Sequence, residues 1–217
     1  MPVSLISNGG IKMTYGEFKT LVLKHIDQYT VAGEKVPLSY NNQADFVNKI
    51  PELTNIVLRM IATTTAPITE TISASALADV MEMPGGWSKI TMPKDFWRIH
   101  GSGILLMGRE ELEISGNYRF LTNKEILIKT SEVPSMLIRY DRYPRKVQGV
   151  DAELLDCEDA VADCASYYVG AQLMRTEDPY VYQSMMNEYS SMMAQIATPI
   201  TAEYVRAKDV YSVSAPY

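Results

Sequence analysis

The sequence predicts an α+β protein: a helical-hairpin bundle of about four helices, a small antiparallel β domain inserted between the hairpins, and an extended C-terminal arm. Three observations predict this. Residues 14–67 and 148–198 repeat apolar side chains at steps of three and four, the period of an amphipathic helix. Residues 68–147 switch to an alternating, β-branched pattern broken by turn residues. Residues 199–217 have no core of their own to join and end in alternation, as in Val210, Tyr211, Ser212 and Val213, so they read as an arm.

Each element has its own signal. Residues 1–13, with Asn8-Gly9-Gly10, read as an unpaired lead-in. Thr14 and Glu17 have the spacing of a capping box, and Phe18, Leu21, Val22, His25, Ile26 and Tyr29 follow on one stripe, so the first helix spans 14–29. A second helix spans 42–64, with Phe46, Ile50, Leu53, Val57, Met60 and Ile61 as its stripe. Pro51 either kinks it or opens a new helix there.

Residues 68–77 hold β-branched side chains, and strands are expected over 88–92, 104–107, 111–115, 118–122, 125–130 and 136–140. Pro84-Gly85-Gly86 is a turn, Pro93 to Trp97 a tight turn, and Gly116-Asn117 and Asn123-Lys124 are hairpin turns. The closing hairpin is the clearest feature. Cys157, Val161, Cys164, Tyr168 and Ala171 form one stripe, and Tyr182, Met185, Tyr189, Met192 and Ile196 form a second. The break at Glu177-Asp178-Pro179 folds the two helices against each other.

Composition and motifs argue against chemistry. The net charge is −6 over 217 residues, which disfavours wrapping nucleic acid through phosphates but leaves room for a channel that DNA passes without sticking. Cys157 and Cys164, seven apart on one expected helix, would sit about 10.5 Å apart along its axis. That is too far for a disulfide, so they read as small buried hydrophobes. Acidic neighbours (Asp156, Glu158, Asp159, Asp163) would raise their thiol pKa, which is wrong for a nucleophile. The acids themselves suit the first turn of a helix.

His25 and His100 have no partner at metal-ligand spacing. Gly101-Ser102-Gly103 and Gly85-Gly86 lack phosphate-loop spacing, and Ser102 lacks the nucleophile-elbow pattern. No enzyme activity, catalytic residue, cofactor or metal is expected. No secretory leader and no long apolar run is read, so no membrane partner is expected either.

Assembly is the better-supported theme. The chain holds 13 methionines and 14 tyrosines, residues suited to irregular contacts and interfaces. The β segment carries Arg98, Arg109, Arg119, Lys124, Lys129, Arg139, Arg142, Arg145 and Lys146, while acids concentrate in the helical half. This basic segment could bind nucleic acid, could be a solvated sheet face, or could dock on an acidic neighbour; in the last case opposite-sign patches on one subunit can pair head to tail around a ring.

The stretch AVADCASYYVGAQLMRTEDPYVYQSMMNEYSSMMAQI is an alanine-rich, tyrosine-bearing helix, a short polar break and a helix with Asn-Glu-Tyr near its middle. It is similar to the closing hairpin of the head-to-tail connector (adaptor) proteins of tailed bacteriophages. YNNQADFVNKIPELTNIVLRMIA resembles their earlier long helix with its Ile-Pro break. The order of elements over 14–196 agrees with that family.

The resemblance implies a homo-oligomeric ring, typically of twelve subunits, mounted on the portal protein. Such a ring extends the DNA channel and offers a platform to tail or tail-fibre proteins. Double-stranded DNA would pass without specific binding, and the protein would sit in the virion neck after assembly in the host cytoplasm. It implies a C-terminal arm that reaches along the portal, with Tyr204, Val205, Val210, Tyr211, Val213 and Tyr217 as candidate docking residues. Two other readings stay open: another neck, tail-completion or fibre-docking ring protein, and a small enzyme or ligand-binding protein.

Overall fold

The computed structural model describes residues 12–29, 40–77, 80–106, 111–112, 118–129, 133 and 136–210; residues 27–29, 40–44, 80, 102–106, 111–112 and 198–210 are described through their backbone. These residues form four helices and eight strands, an α+β fold. The chain divides into two compact units, a helical one (Met1–Ala66 with Pro144–Tyr217) and a β one (Pro67–Tyr143).

In the helical unit, α1 (Tyr15–Tyr29) starts at the expected capping box. The Thr14 N–H donates to Glu17 Oε2 at 2.8 Å, and the Glu17 N–H donates to Thr14 Oγ1 at 3.2 Å. Two orphan donors of the first turn are thereby satisfied. Phe18, Val22 and Ile26 then point into the core with no exposed surface. The lead-in to α1 also pairs with a distant segment. The Tyr15 N–H donates to the Glu153 carbonyl at 2.8 Å, and the Leu155 N–H donates to the Met13 carbonyl at 3.0 Å.

Helix α2 (Tyr40–Thr64) runs unbroken through Pro51, so of the two expected outcomes no new helix begins there. Phe46, Ile50, Val57, Leu58 and Ile61 are its buried stripe. Asn55 ties a later segment to it, accepting from the Val147 N–H at 2.8 Å and donating to the Val147 carbonyl at 3.1 Å.

The closing hairpin is α3 (Asp159–Met174) and α4 (Pro179–Val210). Asp178 caps α4, its Oδ1 accepting from the Tyr180 and Val181 N–H groups at 2.9 and 3.1 Å. Pro179 takes the first helical position, where its missing N–H costs nothing. Helix α3 packs against α1, α2 and α4. It is therefore buried nearly all round, and its small residues Ala162, Ala165, Gly170 and Ala171 let those neighbours approach. A Cβ at Gly170 would lie 2.3 Å from Met185 Cε.

Two expectations for these helices are corrected. Cys157 precedes α3 instead of lying on it, because the helix begins only at Asp159. Residues 199–210 are helical, not an extended arm: α4 continues to Val210. Ala202, Glu203, Arg206, Ala207 and Lys208 are good helix formers, and alternation begins only at Val210, too late to redirect the backbone.

The β unit holds two four-stranded antiparallel sheets. One has the order β1-β8-β4-β5 and the other β2-β3-β7-β6. Here β1 is Ile68–Ser73, β2 Val80–Met83, β3 Trp87–Thr91, β4 Phe96–Leu106, β5 Glu111–Leu112, β6 Tyr118–Thr122, β7 Glu125–Lys129 and β8 Met136–Arg142. Ile90, Ile126, Ile128 and Tyr118 from one sheet share a core with Phe96, Met136, Ile138 and Tyr140 from the other.

Asn123-Lys124 makes the expected β6–β7 turn. β5 pairs with β4 through Ile104↔Leu112, and β6 pairs with β7; residues 113–115 of the hairpin expected between 111–115 and 118–122 lie outside the described residues. Residues Gly116 and Asn117 lie outside the described residues. β2 went unforeseen, and the strand expected over 104–107 is the second half of the long β4.

Candidate functional site

The arm residues fall in two groups. Tyr204, Val205 and Val210 belong to the last part of α4. Tyr211, Val213 and Tyr217 lie outside the described residues.

The most organised polar cluster is one that sequence reasoning missed. It is centred on Asp141 of β8, whose side chain has no exposed surface. His100 Nδ1 donates to Asp141 Oδ1 at 2.6 Å, Thr69 Oγ1 donates to the same oxygen at 3.0 Å, and Arg98 Nε donates to Oδ2 at 2.7 Å. Burial pulls this carboxyl upward, but the hydrogen bonds from Arg98, His100 and Thr69 outweigh it and hold the group below its ordinary range.

The register explains the convergence, since Thr69 pairs with Asp141 across β1–β8. β4 shifts register against β8 between Ile99 and Ile104, beside Gly101 at φ +58°. The Thr69 hydroxyl lies 3.3 Å from His100 Nδ1, the nitrogen already turned to Asp141. A hydroxyl activated as in a catalytic triad would face Nε2 instead. This geometry suits a staple across β1, β8 and β4. A second ion pair stands nearby: Arg142 Nε donates to Glu70 Oε1 at 2.6 Å, and the Tyr140 hydroxyl donates to Glu70 Oε2 at 3.3 Å.

The basic residues of the β segment do not form one patch. Arg98 and Arg142 are committed to Asp141 and Glu70. Arg119, Lys129 and Arg139 lie on β6, β7 and β8, across both sheets. Arg145 and Lys146 belong to the helical unit, and Arg109 lies outside the described residues.

One sheet surface is nevertheless distinctive. On the β2-β3-β7-β6 sheet, the register sets Met81 opposite Lys89 and Trp87 opposite Lys129, on the face away from Ile90, Ile126 and Ile128. Arg119 lies over the Trp87 ring at 4.8 Å, and Lys89 Nζ meets Glu125 Oε1 at 2.8 Å.

In the helical unit, an open groove of about 670 Å³ runs beside Glu17, Lys24, Asp159 and Asp163. Glu17 is spent on the capping box, and Asp159 Oδ1 accepts from the Met13 N–H at 2.9 Å. His25 is buried and stacks on Tyr167 with ring centroids 4.0 Å apart. Burial pushes its pKa down, against a smaller upward pull from Asp163. Burial likewise pushes the Cys157 thiol up to about 12, with Asp156 adding to it, and the Cys164 thiol up to about 11. Both shifts disfavour the thiolate, the nucleophilic form of cysteine, at neutral pH.

Among the described residues, no group of three or more His, Cys, Asp or Glu is placed to hold a metal ion, and no helix is long and apolar enough to cross a membrane. No protein-family model matches the sequence, and no curated protein matches it significantly.

Proposed function

We propose that the chain is a structural protein of a tailed-phage virion. In this reading it forms a ring, of twelve subunits by analogy with connector proteins, that sits under the portal and extends the DNA channel. The observation that carries the reading is the architecture: three helices, α1, α2 and α4, packed around α3, with a β unit inserted in the chain between α2 and α3. Charge supports it. Twelve subunits of −6 would carry roughly −72 (12 × −6), a field that repels phosphate and lets DNA slide. The last part of α4 with residues 211–217 is the portal-docking segment of this proposal.

The test is negative-stain imaging and mass measurement of the protein alone and mixed with purified portal. Discrete rings, or single subunits that assemble on portal, are expected. Removal of residues 202–217 should abolish portal attachment while leaving the melting temperature unchanged. Full attachment after truncation would remove the segment from the proposal, and no ring in either condition would remove the connector reading.

A further inference from the structure

We propose that His25 is an acid-sensitive latch: a proton taken up by its buried imidazole loosens α1 from α3. Helix α3 is the element that α1 packs against most extensively. His25 lies in that seam at 9% exposure, with its ring stacked on Tyr167 of α3. Its Nε2 is buried and has no hydrogen-bond partner among the described residues.

That orphan nitrogen makes the two charge states unequal. A neutral imidazole can carry its hydrogen on Nδ1 and leave Nε2 as a bare lone pair. An imidazolium carries hydrogen on both nitrogens, so it places a charged N–H at Nε2 where no acceptor stands. A buried charged donor without a partner is costly. The protonated ring does better in water, and it reaches water only by leaving Tyr167, which shifts α1 on α3.

The groups around the ring do not remove this cost. Asp163 lies four residues before Tyr167, on the same face of α3. Its carboxylate favours the proton, but less than burial opposes it. On the ring's own helix the neighbouring charge is Lys24, which borders the same groove as Asp163. The core beside the seam adds phenols and thiols, Tyr15, Tyr168, Tyr182, Tyr189, Cys157 and Cys164 among them, groups of a kind that titrates in base and not in acid. Helix α2 brings apolar side chains to that core.

The direction follows. A histidine whose folded form resists the proton contributes its full stability above its ordinary 6.5 and loses it as the pH falls from there towards the lower folded-state value. Each pH unit within that window raises the opened fraction by up to about tenfold. The latch belongs to the helical unit and holds whether or not the chain forms a ring.

Hydrogen exchange read by mass spectrometry tests this on the full chain at about pH 7.5, 6.5 and 5.5, with the intrinsic exchange rate divided out. The proteins are wild type, His25→Phe, which keeps a ring on Tyr167 but cannot titrate, and Asp163→Asn. Protection of the α1 amides in wild type should fall by up to about tenfold between pH 6.5 and 5.5, while that of the β unit, which holds the second histidine, His100, does not fall. In His25→Phe, α1 protection should stay constant, and in Asp163→Asn the loss should deepen. Constant α1 protection in wild type overturns the latch, as does an equal loss in His25→Phe or a loss shared evenly by both units. Should His25→Phe fail to fold by circular dichroism, Asp163→Asn still decides: a loss no deeper than wild type overturns the proposal.

Discussion

Asp141 carries its charge with no solvent contact, and three strands converge on its two oxygens. Replacing it with Asn keeps the shape and removes the charge. The expected loss is about 2 kcal/mol at neutral pH, the usual worth of hydrogen bonds to an ionised group. The folded carboxyl titrates below its ordinary 3.8, so its contribution is complete above that pH and disappears as the pH falls through the lower folded-state value. Urea unfolding of the two proteins at about pH 7 and about pH 3 should show a gap that narrows in acid. A gap that stays constant would mean that the charge plays no part. His100 and Asp141 are 41 residues apart, and only the β1–β8–β4 register with its shift at Gly101 joins them, so no spacing rule revealed the cluster.

At the scale of elements, Gly170 of α3 faces the tip of the buried Met185 side chain of α4. Gly170→Val would force Met185 aside, since even a Cβ there meets its Cε at 2.3 Å. Overpacking of this kind costs about 1–3 kcal/mol. Adding Met185→Ala should recover part of that cost, and a double-mutant cycle of melting curves would show a coupling term absent from an unconnected pair.

Helices were the legible part of the chain. The Thr14–Glu17 box and the stripes of α1, α2 and α4 follow from local spacing, whereas α3 is buried nearly all round and Cys157 of its expected stripe lies outside it. The centrality of α3 does not follow from spacing, because its small residues Ala162, Ala165 and Gly170 carry no directional signal. Among strands, the short turn at 123–124 follows from local sequence, while the pairing of β1 with β8, Ile68↔Arg142, is a long-range choice that no local pattern encodes. For the candidate docking segment, alternation over four residues, Val210 to Val213, was too little to set against the helix formers before it.

At the scale of the whole molecule, the β unit begins and ends on paired strands: Ile68 of β1 is the register partner of Arg142 of β8. Residues 67–143 expressed alone are expected to fold, giving a strand-type circular dichroism spectrum and a cooperative melt. The helical unit with that span replaced by a short Gly-Ser turn should retain a helical spectrum and its own transition. Loss of cooperativity in both fragments would show that the division into units is not energetic.

That neighbouring entry and exit has an evolutionary corollary. Whatever is spliced between the two ends can lengthen, shrink or be traded for a foreign cassette while the flanking chain keeps its path.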